Sequence, residues 1–240
     1  MNLNKVFSYQ FEDKQWITKL GIGAVITLVP ILNFALAGYM VAIVRNVMDN
    51  SAEPLPNWDD LGKKFRDGLI LVAARLIYAL PLIIIFLPIG ILVASSLLSG
   101  DHNLQDISRI IAGVGTLLLI CLSCFIVIYI LAYSIIDPAI LVLFARQGTF
   151  SSCFKFRELY EMVSRNAGPY FTAWIIYLGA SLALSFMIGF INLFVAWIPC
   201  IGAIVSFVIT FASTIYLGTV LSYLFGQFGA TAFGGNQPLG

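Results

Sequence analysis

Charge is scarce in this 240-residue sequence: Lys, Arg, Asp and Glu make up only 10% of it, and 13 basic residues nearly cancel 12 acidic ones. An ordinary soluble domain carries roughly 25% charged residues, so a water-facing surface could not be covered at this level. The near-neutral balance, with charges gathered in polar breaks and not on one face, gives no sign of a nucleic-acid partner. Histidine occurs once, at His102. No HExxH, GxSxG or GxxxxGK[ST] pattern occurs, which removes the common membrane zinc-protease, serine-hydrolase and phosphate-loop chemistries. No Asp, Glu or His falls near the middle of an apolar run, where a proton- or ion-coupled transporter usually keeps one.

The four cysteines make no disulfide framework: Cys121 and Cys124 lie within an apolar run, Cys153 in a polar break and Cys200 in a turn. CLSC (Cys121 to Cys124) has redox or metal spacing, but its thiols would have to ionise in hydrocarbon with no His or acid nearby, so they read as packing residues. His102 with Asp101 and Asp106 reads as an ordinary outer loop. Catalytic residues, a metal and cofactors are therefore not expected, and the chain is expected not to be an enzyme. The beginning, MNLNKVFSYQFEDKQW, carries acids and aromatics before any apolar run, which is unlike a removable signal peptide.

What is present is oil: 60% of the residues are hydrophobic. The pattern predicts an all-α, polytopic membrane protein with a short N-terminal helical hairpin, four full transmembrane helices and two interfacial amphipathic helices. Phe7, Tyr9, Phe11 and Trp16 form an aromatic flank suited to a headgroup layer. Residues 17–48 are too short for two full spans and long for one, with VPILN in the middle. A hairpin turning at Pro30 to Asn33 puts eleven basic residues on one side and Arg109 alone on the other; a single kinked span gives eight to four. The hairpin is favoured, with both termini cytoplasmic.

The one long polar passage, EPLPNWDDLGKKFRDGL, predicts an interfacial helix over 57–68. Asn57 would be its N-cap, Asp59 and Asp60 would sit in its first turn, and Trp58, Leu61 and Phe65 would form one docking face. Spans are predicted at 69–98 (bent at Pro81 and Pro88), 110–136 (with Asp137-Pro138 marking the inner end, or the apolar AILVLFARQ prolonging the helix to Arg146 in the interface), 169–196 and 203–225, the last two joined by a turn at Pro199 to Gly202. A second interfacial helix is predicted over 150–166, with Cys153, Phe156, Leu159, Tyr160 and Val163 sharing a face. These elements make one membrane domain over 1–228, followed by a Gly-rich tail over 229–240 with no stable fold of its own.

Arg75 and Asp137 are the only ionisable residues inside the apolar runs on the inner side. Counted from Asn103 their depths differ by roughly 8 to 9 Å at 1.5 Å per residue, which an Arg side chain can reach across. They form a candidate intramembrane ion pair lining a polar cavity; the default is two charges snorkelling separately to the headgroups. Small residues at 179–183 and at Gly218, Thr219 and Ser222 point to close helix packing.

PILN followed by Gly38-Tyr39 and Arg45, then LPNWDDLGKKFRDGL, Tyr78 and Pro81, and finally IPCIG with Gly226-Gln227, are similar to the prokaryotic membrane family known as domain of unknown function 4013. The resemblance covers nearly the whole chain. It implies an integral membrane protein of archaea or bacteria and supplies no activity, substrate or catalytic residue.

The leading expectation is a non-enzymatic subunit or scaffold of the cytoplasmic (inner) membrane. Its partners would be membrane lipids and other integral membrane proteins, in a hetero- or homo-oligomer. The alternative is a permease-like transporter of a lipid or other apolar solute, in which prolines 30, 81, 88 and 199 break helices around a cavity.

Overall fold

The computed structural model describes residues 3–27, 29–98, 102–195, 197–198 and 201–234, and among these every regular element is helical. Two short helices, α1 (Leu3–Val6) and α2 (Tyr9–Glu12), precede α3 (Trp16–Thr27) and α4 (Asn33–Met48). Then come α5 (Leu61–Leu98), α6 (His102–Gln147), α7 (Phe156–Arg165), α8 (Ala167–Val195) and α9 (Ile201–Phe233). Among the described residues, four helical stretches are long and apolar enough to cross a membrane: Leu61–Pro88, Leu122–Gln147, Ala167–Val195 and Gly202–Phe233. The chain divides into two compact units, one of Met1–Val72 with Pro138–Gly240 and one of Ala73–Asp137.

The first unit contains the core. The chain breaks after α3 because Pro30 opens a 3-10 turn over Pro30–Leu32, in which the Leu32 N–H donates to the Val29 carbonyl at 2.9 Å. α3 and α4 then pack on each other as two arms, 12 and 16 residues long, each shorter than the roughly 20 residues of a full span. α9 is the hub against which α4 and α8 both lie. Its face toward α4 is made of small residues. Gly218 lies under the Met40 side chain, Gly226 against Val47, and Gly229 against Met48 and Val142. Thr219 and Ser222 on the same helix are fully buried, and each spends its hydroxyl on a carbonyl of its own helix, Tyr216 and Gly218, at 2.8 Å. Across the α8–α9 contact, Tyr170 meets Phe225 and Phe228 edge-on at 5.4 and 5.0 Å.

The tightest contact is between α4 and α5. A Cβ added at Gly38 would overlap the carbonyl oxygen of Lys64, and one added at Gly68 would overlap the carbonyl oxygen of Phe34. Each helix thus presents a carbonyl and, four residues on, a glycine to the same pair on its neighbour. Backbones this close permit Cα–H···O contacts worth about 0.5–1 kcal/mol each. Phe34 and Phe65 flank the crossing edge to face, with centroids 5.8 Å apart.

Several boundaries differ from the sequence expectation. Residues 57–60 are not helical, and α5 begins at Leu61 and runs on without a stop at residue 68. Asp60, not Asn57, caps it, its carboxylate accepting from the Lys63 N–H at 3.4 Å and its carbonyl from the Lys64 N–H at 3.2 Å. The helix passes through the polar stretch because Gly68 is held in the crossing and Asp67 is paired with an arginine. Of the two ends open to α6, Asp137-Pro138 or the prolongation through AILVLFARQ, the structure has the second. Pro138 costs a single backbone bond, while Ala139 to Ala145 are all buried and carry the helix to Gln147. The predicted tail begins late as well, because Phe228 is fully buried and Phe233 lies under the Arg146 guanidinium at 4.0 Å, so α9 stays helical to Phe233. Residues 235–240 lie outside the described residues.

Gly38→Ala and Gly68→Ala should each lower thermal stability in mild detergent, at the upper end of the about 1–3 kcal/mol usual for overpacking, because the obstructing atoms are backbone. Gly62→Ala sits on the same helix with nothing within 4 Å of the added carbon, and should be neutral or gain about 1 kcal/mol of helix propensity. Scanning fluorimetry on the three purified variants checks this; equal midpoints would remove the crossing as a constraint.

Candidate functional site

Among the described residues, three polar constellations stand out in the apolar structure. Two are arginine–aspartate pairs. In the Ala73–Asp137 unit, Arg75 Nε and a terminal nitrogen donate to the two Asp137 carboxylate oxygens at 2.7 and 2.8 Å. This fork-on-fork geometry is the strong, directional form of the contact. Tyr133, one helical turn before Asp137, adds a hydrogen bond from its hydroxyl to the same carboxylate at 3.2 Å, and Tyr129 reaches from the turn before that to the Tyr78 carbonyl. Side-chain exposures of 30% for Arg75 and 19% for Asp137 show a half-sheltered pair, not two charges extended apart. The structure therefore brings these two sequence candidates together and surrounds them with tyrosines from both helices.

The second pair had not been singled out from the sequence. Arg45 on α4 donates from a terminal nitrogen to Asp67 on α5, and from Nε to the Ala145 carbonyl on α6 at 2.8 Å. One guanidinium thus ties three helices together, one of them across the α4–α5 contact. The spacing holds the hint: Asp67 immediately precedes Gly68, and Arg45 lies two turns beyond Gly38 on the same helix.

The third constellation is at the N-terminal segment. Lys19 is buried, and its ammonium donates to Asp13 at 2.6 Å and to the Leu55 carbonyl at 3.0 Å, with Glu53 at 3.7 Å. Trp58 donates from its indole nitrogen to the Lys19 carbonyl at 2.7 Å and stacks on Tyr39 at 4.5 Å. Tyr9 stacks on Tyr223 at 4.1 Å and donates its hydroxyl to the Thr219 carbonyl at 3.0 Å. Together these contacts staple the 51–58 loop and the N-terminus onto α3, α4 and α9. A cavity of about 700 Å³ opens beside them, lined by Tyr9, Asp13, Gln15, Glu53, Asn57 and Tyr223 among others. Burial alone would raise the Asp13 carboxyl, but the hydrogen bonds from Lys19 and the Gln15 N–H, with the Lys19 charge, outweigh it and hold the group below its ordinary value.

The predicted docking face of Trp58, Leu61 and Phe65 is taken apart by this arrangement. Trp58 packs on Tyr39 from outside the helix, Phe65 packs on Phe34, and Leu61 remains 48% exposed. Of the turn residues, Pro30 begins the 3-10 turn, Asn33 begins α4, and Gly202 is buried in the first turn of α9, where its N–H donates to the Ile198 carbonyl at 2.9 Å. Pro199 and Cys200 lie outside the described residues, as do Asp101 and the side chains of His102, Asp106 and Cys121. Among the described residues no cluster of His, Cys, Asp and Glu could hold a metal ion.

Residues 22–193 match the family described as "Protein of unknown function (DUF4013)". No curated protein and no solved structure gives a match.

Two outcomes follow from these geometries. Asp137→Asn removes one charge from the Arg75 fork and should destabilise the protein by about 1.5–3 kcal/mol, the usual worth of hydrogen bonds to charged groups. Arg75→Leu combined with Asp137→Leu should recover much of that loss, because no half-sheltered charge is left behind; a double variant as unstable as the summed singles would show the two do not act as a pair. For Asp13 the folded-state pKa lies below the unfolded one, so its contribution is complete above the unfolded value and is lost as pH falls through the folded value. The stability gap between the parent and Asp13→Asn, followed from about pH 6 to about pH 3, should close on acidification.

Proposed function

The chain belongs to the DUF4013 family, and we propose that it acts as a non-enzymatic integral membrane subunit or scaffold whose long helices pack against lipids and other membrane proteins. One observation carries this reading. The most apolar 18-residue stretch of α8 has none of its residues buried, and the corresponding stretch of Leu61–Pro88 has 11%. On α8, Phe186, Phe190 and Phe194 follow one another at i, i+4 and i+8 with exposures of 79%, 57% and 62%. Side chains of this size turned outward on a helix of spanning length need an apolar surrounding, and exposed patches beyond a few hundred Å² mark membrane or protein contact. The ordered polar groups support a structural role too, since Arg45, Asp67, Arg75, Asp137, Asp13 and Lys19 are each spent on one another or on backbone carbonyls.

The permease reading finds less support. It calls for a cavity among the helix-breaking prolines, whereas the cavity of about 700 Å³ found among the described residues is lined by the N-terminal segment, the 51–57 loop and Tyr223 of α9. In the proposed topology α3 and α4 form a hairpin that enters and leaves on one side, with both termini in the cytoplasm of a cell whose inner membrane holds the protein.

Purification from native membranes in mild detergent tests the proposal. A stoichiometric membrane-protein partner, or a defined homo-oligomer, is the expected result. A monodisperse monomer that carries bound lipid and transports it into empty liposomes would replace the scaffold with the permease. An impermeant thiol reagent applied to intact cells should fail to label a cysteine introduced as Asn2→Cys; efficient labelling would overturn the hairpin topology.

A further inference from the structure

α7 carries two apolar surfaces where the sequence pattern suggests one. Leu159 and Met162 are 5% and 7% exposed and face the protein, and Cys153 just before the helix is fully buried. Phe156 and Tyr160, expected to share a face with Leu159, are 61% and 74% exposed. At about 100° per residue, positions 156 and 160 lie about 40° apart and some 60–100° round the helix from 159. The charged side follows in the same sense. The side chains of Arg157 and Arg165 are 92% and 73% exposed, and both reach back to Glu161, at 2.9 and 3.6 Å. Glu158 is turned the other way, held by Lys155 at 2.8 Å and by the Gln147 amide at 2.6 Å. Hydrogen bonds from Lys155 first and Gln147 second hold its carboxyl below the usual range, so it remains a fixed tether to the end of α6.

Round the helix, then, come a face on the protein, an exposed aromatic edge, and an exposed basic edge. A single residue, Asn166, separates α7 from α8, whose whole length is apolar enough to cross a membrane. That covalent link places α7 at the level where the span leaves the bilayer, and it decides what the aromatic edge meets.

We propose that α7 is a phospholipid-docking helix: Phe156 and Tyr160 enter the boundary between headgroups and acyl chains, while Arg157 and Arg165 meet lipid phosphates above them. The chemistry fits each group. A tyrosine has an apolar ring for the boundary and a hydroxyl for the wet layer, and arginine is the side chain best matched to phosphate oxygens. The exposed basic edge carries Arg157 and Arg165 against Glu161, an excess of one positive charge toward the headgroups. The proposal rests on the membrane reading above, and its test is built to separate the two.

The test uses the full chain with Tyr160 replaced by the photoreactive tyrosine analogue p-benzoylphenylalanine, purified and placed in nanodiscs of phosphatidylcholine with phosphatidylglycerol. Irradiation and intact-mass analysis report what the side chain touches. Phospholipid adducts are expected at position 160, several-fold above those from the same analogue at Arg165. Adducts to a second copy of the chain, or no adduct at all, would overturn the proposal. The analogue at Phe186 on α8 is the reference: lipid adducts there but none at 160 would sink only the α7 inference, whereas none at either would sink the membrane reading with it. Arg157→Glu with Arg165→Glu should cut the lipid adduct at 160 several-fold in phosphatidylglycerol discs; an unchanged yield would exclude the phosphate contact.

Discussion

The α4–α5 crossing is the constraint from which the rest of the first unit follows. Two backbones touch where Gly38 and Gly68 each lie over the other helix's carbonyl, and no side chain mediates the contact. Such a contact fixes the distance and register of the two helices more narrowly than interlocking leucines could, since neither partner can turn or slide without a Cα meeting a Cβ. Arg45 then clamps the open side by pairing with Asp67 and reaching the α6 backbone at Ala145. With α4 set by α5, its other face is presented to the glycines of α9, and α9 in turn receives α8.

Polar chemistry is used sparingly, and its most sheltered ion pairs sit at joins. Lys19 holds the 51–55 loop through Leu55 and the N-terminal segment through Asp13. Arg75 and Asp137 join α5 and α6 within their own unit. These charges are placed where a segment must meet a particular neighbour at a particular height, a task that hydrophobic burial performs poorly because it is roughly indifferent to direction. In a lipid-like surrounding this matters more, since helix association there depends on packing and hydrogen bonds and not on removal of apolar surface from water.

The class of fold was legible from composition alone, and the break at Pro30 from a single residue whose chemistry forces it. Four long apolar helices could be read because spanning length is a one-dimensional property. What escaped was most of what depends on a partner in space. Trp58, Leu61 and Phe65 do fall at helical spacing, but Trp58 is drawn off the helix by Tyr39 and the Lys19 carbonyl. The periodicity of 156–163 also predicted an amphipathic helix while hiding which apolar stripe the protein would claim, Leu159 with Met162 or Phe156 with Tyr160. Arg75 and Asp137 could be matched in depth by counting from a turn, because an antiparallel hairpin equates residue count with height. Arg45 and Asp67 could not, because an irregular loop over residues 49–60 separates them and destroys the count.

The α4–α5 crossing also has a consequence for the order in which the protein can be assembled. Its two halves are only some thirty residues apart in the chain, so the contact becomes available as soon as residue 68 has left the ribosome, before any of α6 has emerged. The small-residue face of α9, by contrast, is made last and must find α4 already in place. Synthesis from the N-terminus would therefore hand each late helix a template that is already rigid. A chain in which α4 had instead been built to wait for α9 would leave a short apolar helix without its partner through most of translation.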